Sequence, residues 1–438
     1  MENTTILALV GFIMVGVIVY GLIQSKITPI PVFVIVSCLA ALAVMTSPAE
    51  LFKYIDDGVK TTMPIAVLFI FSIVYFCVMN DVGMFDPLVN TLVKLAKTNV
   101  ILVTVATSII AILSHLDGAL ASTLLITIPA MLPVYKRLKM SPLTLLVIIG
   151  AAMSIMNLLP WGGPVARTAA ITKMDITELW HSLIPLQVLI TVFVVVFAAF
   201  MGVIEKRRGA GLGAGDDHVV AEVEEDPKVL ALKRPKLVWV NIALTLGIIA
   251  LLCFTKIPLY GAFMIGLSIA LVVNFPNAKE QLERFKVHSV EALPMASILL
   301  ASGVFLGVLK GTKMIDAMAI TMINIIPEAL GSYLHVILGF FAVPIGMVLG
   351  TDSYFFGLVP LAIEVGSKFG IDPVNMANTL LIGKNYGVLV TPHAATTFLA
   401  IGLAGVELKD HLKFCTAWLW LLSIITLAAA FLMGTIVL

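Results

Sequence analysis

At 438 residues, the chain is 60% hydrophobic and only 12% charged, where soluble domains carry about 25% charged residues. Its net charge of +1, with no basic patch interleaved with aromatics, excludes a nucleic-acid partner, and Cys38, Cys77, Cys253 and Cys415 all sit in apolar runs with no disulfide or CxxC metal signature. Apolar runs of about 17–25 residues, enough to cross a bilayer as helix, recur throughout and make this an all-α polytopic membrane protein.

Taken in order, spans are expected near 5–24, 28–46 and 62–80, followed by an amphipathic stretch near 84–96. The opening residues lack the basic region of a signal peptide, so the first span is expected to be retained. A hairpin covers about 98–135, and its turn at 114–123 sets His115, Asp117, Gly118, Ser122 and Thr123 between two apolar arms. A span near 143–173 is broken at 157–164 by Asn157, Pro160, Gly162, Gly163 and Pro164, and another span follows near 182–204. Residues 205–236 are polar, with Glu205-Lys206-Arg207-Arg208, a Gly/Ala run and an acidic stretch ending at Pro227. That composition reads as a flexible surface linker between a first transmembrane repeat (1–204) and a second (237–438).

The second half repeats the first. At a gapless offset of 230, Lys26-Ile27 matches Lys256-Ile257, Glu50 matches Glu280, Pro64 matches Pro294, and Asp86 matches Asp316. After a small register shift, Asp117 falls near Asp352 and Pro160 near Pro392. The second hairpin covers about 332–367, turning at Gly350-Thr351-Asp352-Ser353-Tyr354. The second broken helix covers about 374–404, interrupted at Thr391-Pro392-His393. An odd number of crossings per half makes the repeats inverted in topology. With the linker in the cytoplasm, 18 basic residues face inward and 7 outward, which satisfies the positive-inside rule and puts both termini outside.

Two cations remain at membrane depth, Arg167 and Lys384. Charge there is costly and faces either a binding site or a neighbouring carboxylate. Irregular backbone at that depth leaves N–H and C=O groups unpaired, which lipid cannot satisfy; it is tolerated where it lines a cavity or meets a ligand. Half-helix N-termini suit carboxylates, while free carbonyls, hydroxyls and Asp oxygens suit cations. Plainer readings stand beside these: each proline break as a kink, and His115 as a satisfied core histidine. Asp86 and Asp316 read as helix caps, and Glu364 as interfacial. No nucleophile elbow, P-loop or HExxH signature occurs, so the chain is not read as an enzyme.

Several stretches resemble the citrate–divalent metal–proton symporter family, within the ion transporter superfamily. They are His115-Leu116-Asp117-Gly118, the run Ile126–Leu138, Asn157-Leu158-Leu159-Pro160-Trp161-Gly162-Gly163-Pro164 with Ala166-Arg167, Asp352-Ser353-Tyr354-Phe355-Phe356-Gly357, and Thr396-Thr397-Phe398-Leu399. This resemblance covers nearly the whole chain. It departs from the family pattern at Ala119-Leu120-Ala121, at Val165, at Lys384 and at Thr391, His393 and Ala394, which removes hydroxyls and adds two cations.

The resemblance implies two inverted-topology repeats, each with a re-entrant helical hairpin and a broken transmembrane helix, in a homodimer working by an elevator-like motion in the plasma membrane. The expected function is ion-coupled symport of citrate or a related carboxylate, alone or as its divalent-metal (Mg-type) complex, with no prosthetic group. Coupling is expected to protons; the alternatives are a sodium-coupled carboxylate carrier and a cation/proton antiporter. Expected substrate-binding residues are Ser122, Thr123, Asn157, Gly162, Gly163, Arg167, Ser353, Tyr354, Lys384, His393, Thr396 and Thr397. His115, Asp117, Gly118, Asp352 and Thr391 are expected to hold the metal or coupling ion.

Overall fold

The computed structural model describes residues 2–24, 27–96, 99–211, 227–255 and 257–437. Described residues are helical, turn or irregular, with no strand among them, and eight helices are long and apolar enough to cross a membrane. The first half comprises α1 (Glu2–Gln24), α2 (Pro29–Ala43), α3 (Pro48–Asp81), α4 (Asp86–Ala96), α5 (Val100–Ser114), α6 (Leu120–Arg137), α7 (Pro142–Met156), α8 (Gly163–Thr172) and α9 (Ile176–Arg207). After α10 (Pro227–Leu232) come α11 (Val238–Phe254), α12 (Leu259–Asn274), α13 (Ala278–Gly311), α14 (Met314–Ile323), α15 (Glu328–Gly331) and α16 (Leu334–Phe340). The chain closes with α17 (Ala342–Asp352), a π-helical turn (Ser353–Leu358), α18 (Val359–Lys368), α19 (Pro373–Asn385), α20 (Ala395–Ala404) and α21 (Leu408–Leu432).

Helix starts follow local chemistry. Ser47 and Glu50 form a reciprocal capping box ahead of α3, with Pro48 in the first turn. Asn99, Asp175 and Asp372 cap α5, α9 and α19 through side-chain oxygens. Because of the Ser47 box, α3 starts at Pro48 rather than near 62, and its first turns carry charge at the surface, including the Lys60–Asp56 pair at 2.5 Å. Asp86 lies within the first turn of α4 and pairs with Lys233 at 2.8 Å, while Asp316 lies inside α14 behind a Lys313 cap. Neither is the N-cap expected from sequence.

Long helices α3 and α13, each of 34 residues, pack tightly against one another. A Cβ on Gly58 would lie 2.0 Å from the Gly303 carbonyl oxygen, and one on Gly307 would lie 2.0 Å from that of Tyr54. Farther along, Cys77 meets Glu291, and Asp81 meets Arg284 and His288. Partner numbers fall on α13 as they rise on α3, so the two helices run antiparallel. Small residues permit this backbone approach, as in close-packed membrane helices.

At the centre, α7 and α19 are buried on all sides: from Thr144 to Met156 and from Asn375 to Asn385 every residue is buried. Both lead into the irregular segments that precede α8 and α20. Outside, α1 and α11 expose Ile6, Leu9, Ile13, Trp239 and Leu246, a surface that suits lipid rather than water. One departure concerns the polar stretch expected from residue 205. Helix α9 continues to Arg207, and Glu205 is buried, accepting from Ser141 N at 3.2 Å and Thr144 Oγ1 at 2.6 Å. The free N–H groups at the start of α7 supply the reason, since they need an acceptor and favour a negative one. Residues 212–226 of the expected linker lie outside the described residues.

Candidate functional site

The first turn is a 3-10 helix, His115–Asp117, ended by Gly118 at φ +70°. A Cβ on Gly118 would sit 3.4 Å from the Trp161 carbonyl, so the break before α8 presses on this turn. Trp161 fastens the two together by donating Nε1–H to the Leu116 carbonyl at 2.7 Å, and its ring packs on Phe76 and Phe263. Asp117 is buried and accepts from Ala119 N at 2.8 Å and from the Ser122 hydroxyl. His115 is fully buried, with Nδ1 2.6 Å from Thr123 Oγ1 and Nε2 3.2 Å from Asn157 Oδ1. The Thr123 hydroxyl also lies 3.0 Å from the Ala119 carbonyl.

The second turn pivots at Gly350, φ +73°, where a Cβ would come 2.8 Å from His393 Nε2. Asp352 accepts from Arg167 through Nε (3.0 Å) and Nη2 (2.7 Å), both on Oδ1. This ion pair joins the helix after the first break to the turn of the second hairpin. Gly163 makes room for it, since a Cβ there would meet Arg167 Nη1 at 2.6 Å. Lys384 is fully buried and donates to Thr351 Oγ1 at 2.6 Å, its ammonium 5.7 Å from the Phe355 ring centre. It makes no ion pair within 4.0 Å among the described residues.

A cavity of about 520 Å³ opens at this second turn. Thr351, Asp352, Ser353, Thr391, His393 and Thr396 line it on one side, with Leu120 of the first hairpin and Thr28 and Pro29 from the start of α2 on the other. Around the two turns, Ser114 Oγ, Asn157 Nδ2, Ser353 Oγ and both amide atoms of Asn385 are buried without a partner among the described residues. Buried polar atoms are usually hydrogen-bonded, and of these Ser353 lines the cavity, where its hydroxyl is open to a ligand. No group of three His, Cys, Asp or Glu side chains arranged to hold a metal occurs among the described residues.

The profile of the family described as "Citrate transporter" matches residues 9–383. In Bacillus subtilis (strain 168), the "Citrate transporter" is 35% identical over 98% of this chain and 99% of its own length. The chain belongs to the citrate transporter family. A second relative in the same organism, the "Mg(2+)/citrate complex secondary transporter", is 34% identical over 98% of this chain and 99% of its own length. This member of the citrate transporter family is therefore a membrane transporter and not an enzyme.

Within this transporter the residues singled out from sequence fall into two groups. His115, Asp117, Gly118, Ser122, Thr123, Asn157 and Gly162 gather at the first turn and its break. Gly163, Arg167, Asp352, Ser353, Thr391, His393 and Thr396 gather at the second turn, and Lys384 touches it through Thr351. Two further ones, Tyr354 and Thr397, make hydrogen bonds to backbone carbonyls. The Tyr354 hydroxyl donates to the Leu380 carbonyl at 3.2 Å, fully buried. Thr397 bonds the carbonyls of Leu389 and Thr391, at 3.2 and 2.8 Å, and pins the second break. Of the two cations, Arg167 is paired with a carboxylate, whereas Lys384 meets the Thr351 hydroxyl and no carboxylate among the described residues; His115, read also as a satisfied core histidine, has a partner at each nitrogen. Thr351 and Asn385 were missed. Thr351 adjoins Asp352 in a turn already marked, and Asn385 is a second polar residue beside Lys384 in an apolar span.

Proposed function

We propose that this transporter carries citrate, or a closely related carboxylate, as its complex with a divalent cation of the magnesium class, in symport with protons across the plasma membrane. One observation carries the reading: buried Arg167 is paired with Asp352, and Asp352 lines the cavity. A metal–carboxylate complex offers both a carboxylate for the guanidinium and a cation for Asp352. Loading thus exchanges one ion pair for two, and neither charge is left buried alone. Arginine suits the planar, two-pronged carboxylate, and Asp352 adds a hard oxygen ligand to those the carboxylate already gives the metal. Lys384, without a counter-ion, gains one when a substrate carboxylate arrives, and Ser353, His393 and Thr396 line its path.

Proton coupling is supported by the first turn. With Asn157 Oδ1 on His115 Nε2, the Thr123 hydroxyl has one proton for two acceptors, His115 Nδ1 and the Ala119 carbonyl. Protonated Nδ1 would donate to Thr123, and the hydroxyl would turn to Ala119, satisfying every group. A histidine can take up and release a proton at a ring nitrogen, and Asp117 lies two residues away as a second proton carrier.

Residues 1–204 and 237–438 act as inverted repeats, each with a re-entrant hairpin and a broken helix, joined by a cytoplasmic linker; both termini face outward. Support comes from the antiparallel crossing of α3 with α13 and from the like order of elements in the two halves. The hairpins and breaks move as one body against α1–α3 and α11–α13 in an elevator-type cycle, in a homodimer.

Uptake by the purified protein in vesicles provides the test. Citrate entry should accelerate with added magnesium, follow an inward proton gradient, and persist when sodium is replaced. Failure of citrate under every condition would overturn the substrate, and dependence on sodium would overturn the coupling.

A further inference from the structure

A separate cavity of about 310 Å³ opens where α3 and α13 meet the C-terminal end of α8. Lys53, Tyr54, Asp57 and Thr61 line it from α3, Lys310 from α13, and Lys173 from just past α8. The lining therefore holds three lysines and one aspartate. None of the three lysines forms an ion pair within 4.0 Å among the described residues. Lys310 donates to the Ile171 carbonyl at 3.3 Å, which ties it to the end of α8 and leaves further donors unused. Lys173 holds a left-handed backbone at φ +58°, at a helix end where glycine is the usual occupant.

Position gives this charge a use. Arg167, midway along α8, and Lys173, just past its C-terminal end, stand six residues apart, about 9 Å along the helix axis at 1.5 Å per residue. The cavity lies at the end of α3 opposite the one contacted by the segment following α10, where Arg234 N meets the Val82 carbonyl at 3.0 Å. With a cytoplasmic linker, it faces outside. Its volume is at the small end of ligand pockets, roughly 300–1,000 Å³.

We infer that the Lys53–Lys173–Lys310 cavity is an antechamber that collects a di- or tricarboxylate anion from outside before it reaches Arg167; this rests on the carboxylate reading above. Lysines suit the task, since each is a flexible point charge rather than a two-pronged clamp, and such a site must release what it gathers. A low-dielectric mouth lined with one sign of charge raises local counter-ion concentration and on-rates. Anionic lipid headgroups share the chemistry, so the test separates the two sources.

Initial citrate uptake would be measured in phosphatidylcholine vesicles for wild type, Lys53→Gln/Lys173→Gln and Lys53→Arg/Lys173→Arg, with Lys310 kept because it bonds Ile171. Thermal unfolding checks that each variant is folded. The glutamine pair should raise KM about 5–10-fold at low ionic strength with kcat within about twofold, and the gap should close near 1 M salt, where charges are screened within about 3 Å. The arginine pair should keep the wild-type KM. An unchanged KM in the glutamine pair overturns the antechamber. So does a variant effect confined to vesicles containing phosphatidylglycerol, which would mark a headgroup site. Wild type that does not take up citrate would overturn the functional reading itself, and this ligand with it.

Discussion

Arg167 reaches Asp352 with two nitrogens on one oxygen, and the pair is placed unevenly: the Arg167 side chain is 6% exposed and that of Asp352 is 22%. The guanidinium is thus committed to the interior while the carboxylate keeps one edge on the cavity. Removing one partner strands the other. Arg167→Gln or Asp352→Asn should each destabilise the protein toward the lower end of about 3–5 kcal/mol, since Asp352 retains some solvent. The double variant should regain much of that loss in thermal unfolding yet stay inactive in citrate uptake. A double variant with wild-type uptake would show that the pair is structural only. Asp117 and His115 differ in kind, because their partners all come from the first hairpin and its break.

Among the elements, the seam between α3 and α13 is the least forgiving. Tyr54, Gly58 and Thr62 face Gly303, Gly307 and Gly311, and the nearest atoms to an added Cβ at Gly58 or Gly307 are backbone. Backbone cannot swing aside as a long side chain can. Gly307→Ala should therefore cost at least the about 1–3 kcal/mol typical of overpacking, seen as a lower unfolding temperature in detergent. Gly16→Ala, with nothing within 4 Å of the added Cβ, should leave that temperature within the scatter of wild type. Equal behaviour of the two would mean that the close crossing is not maintained in the membrane. The interruptions before α8 and α20 were legible from Asn157, Pro160, Gly162 and Pro392, because Pro and Gly act locally on the chain. Glu205 was not: its burial depends on α7 presenting free N–H groups from across the molecule.

For the whole molecule, the proposed inverted arrangement places Lys139 and Lys409 on the cytoplasmic side and Lys313 and Lys368 outside; all four are exposed. Single cysteines at these positions, in a background lacking the native four, should react with a membrane-impermeant maleimide accordingly. The outer pair should be labelled in intact cells, and the inner pair only after the membrane is opened. Labelling of Lys139→Cys and Lys313→Cys from the same side would overturn the inverted topology.

Sequence by itself determined that the chain is a helical membrane protein, because apolar length and charge scarcity are summed along the chain and need no partner. It also marked the two turns and two breaks, since Gly, Pro and intramembrane polar residues act on the backbone where they stand. Only the tertiary structure decided which charges meet. Arg167 and Asp352 lie 185 residues apart, Lys384 finds Thr351 rather than a carboxylate, and Gly307 meets the backbone at Tyr54. Such pairings depend on how helices stack once the bilayer has enforced their hydrogen bonding. No local periodicity encodes them.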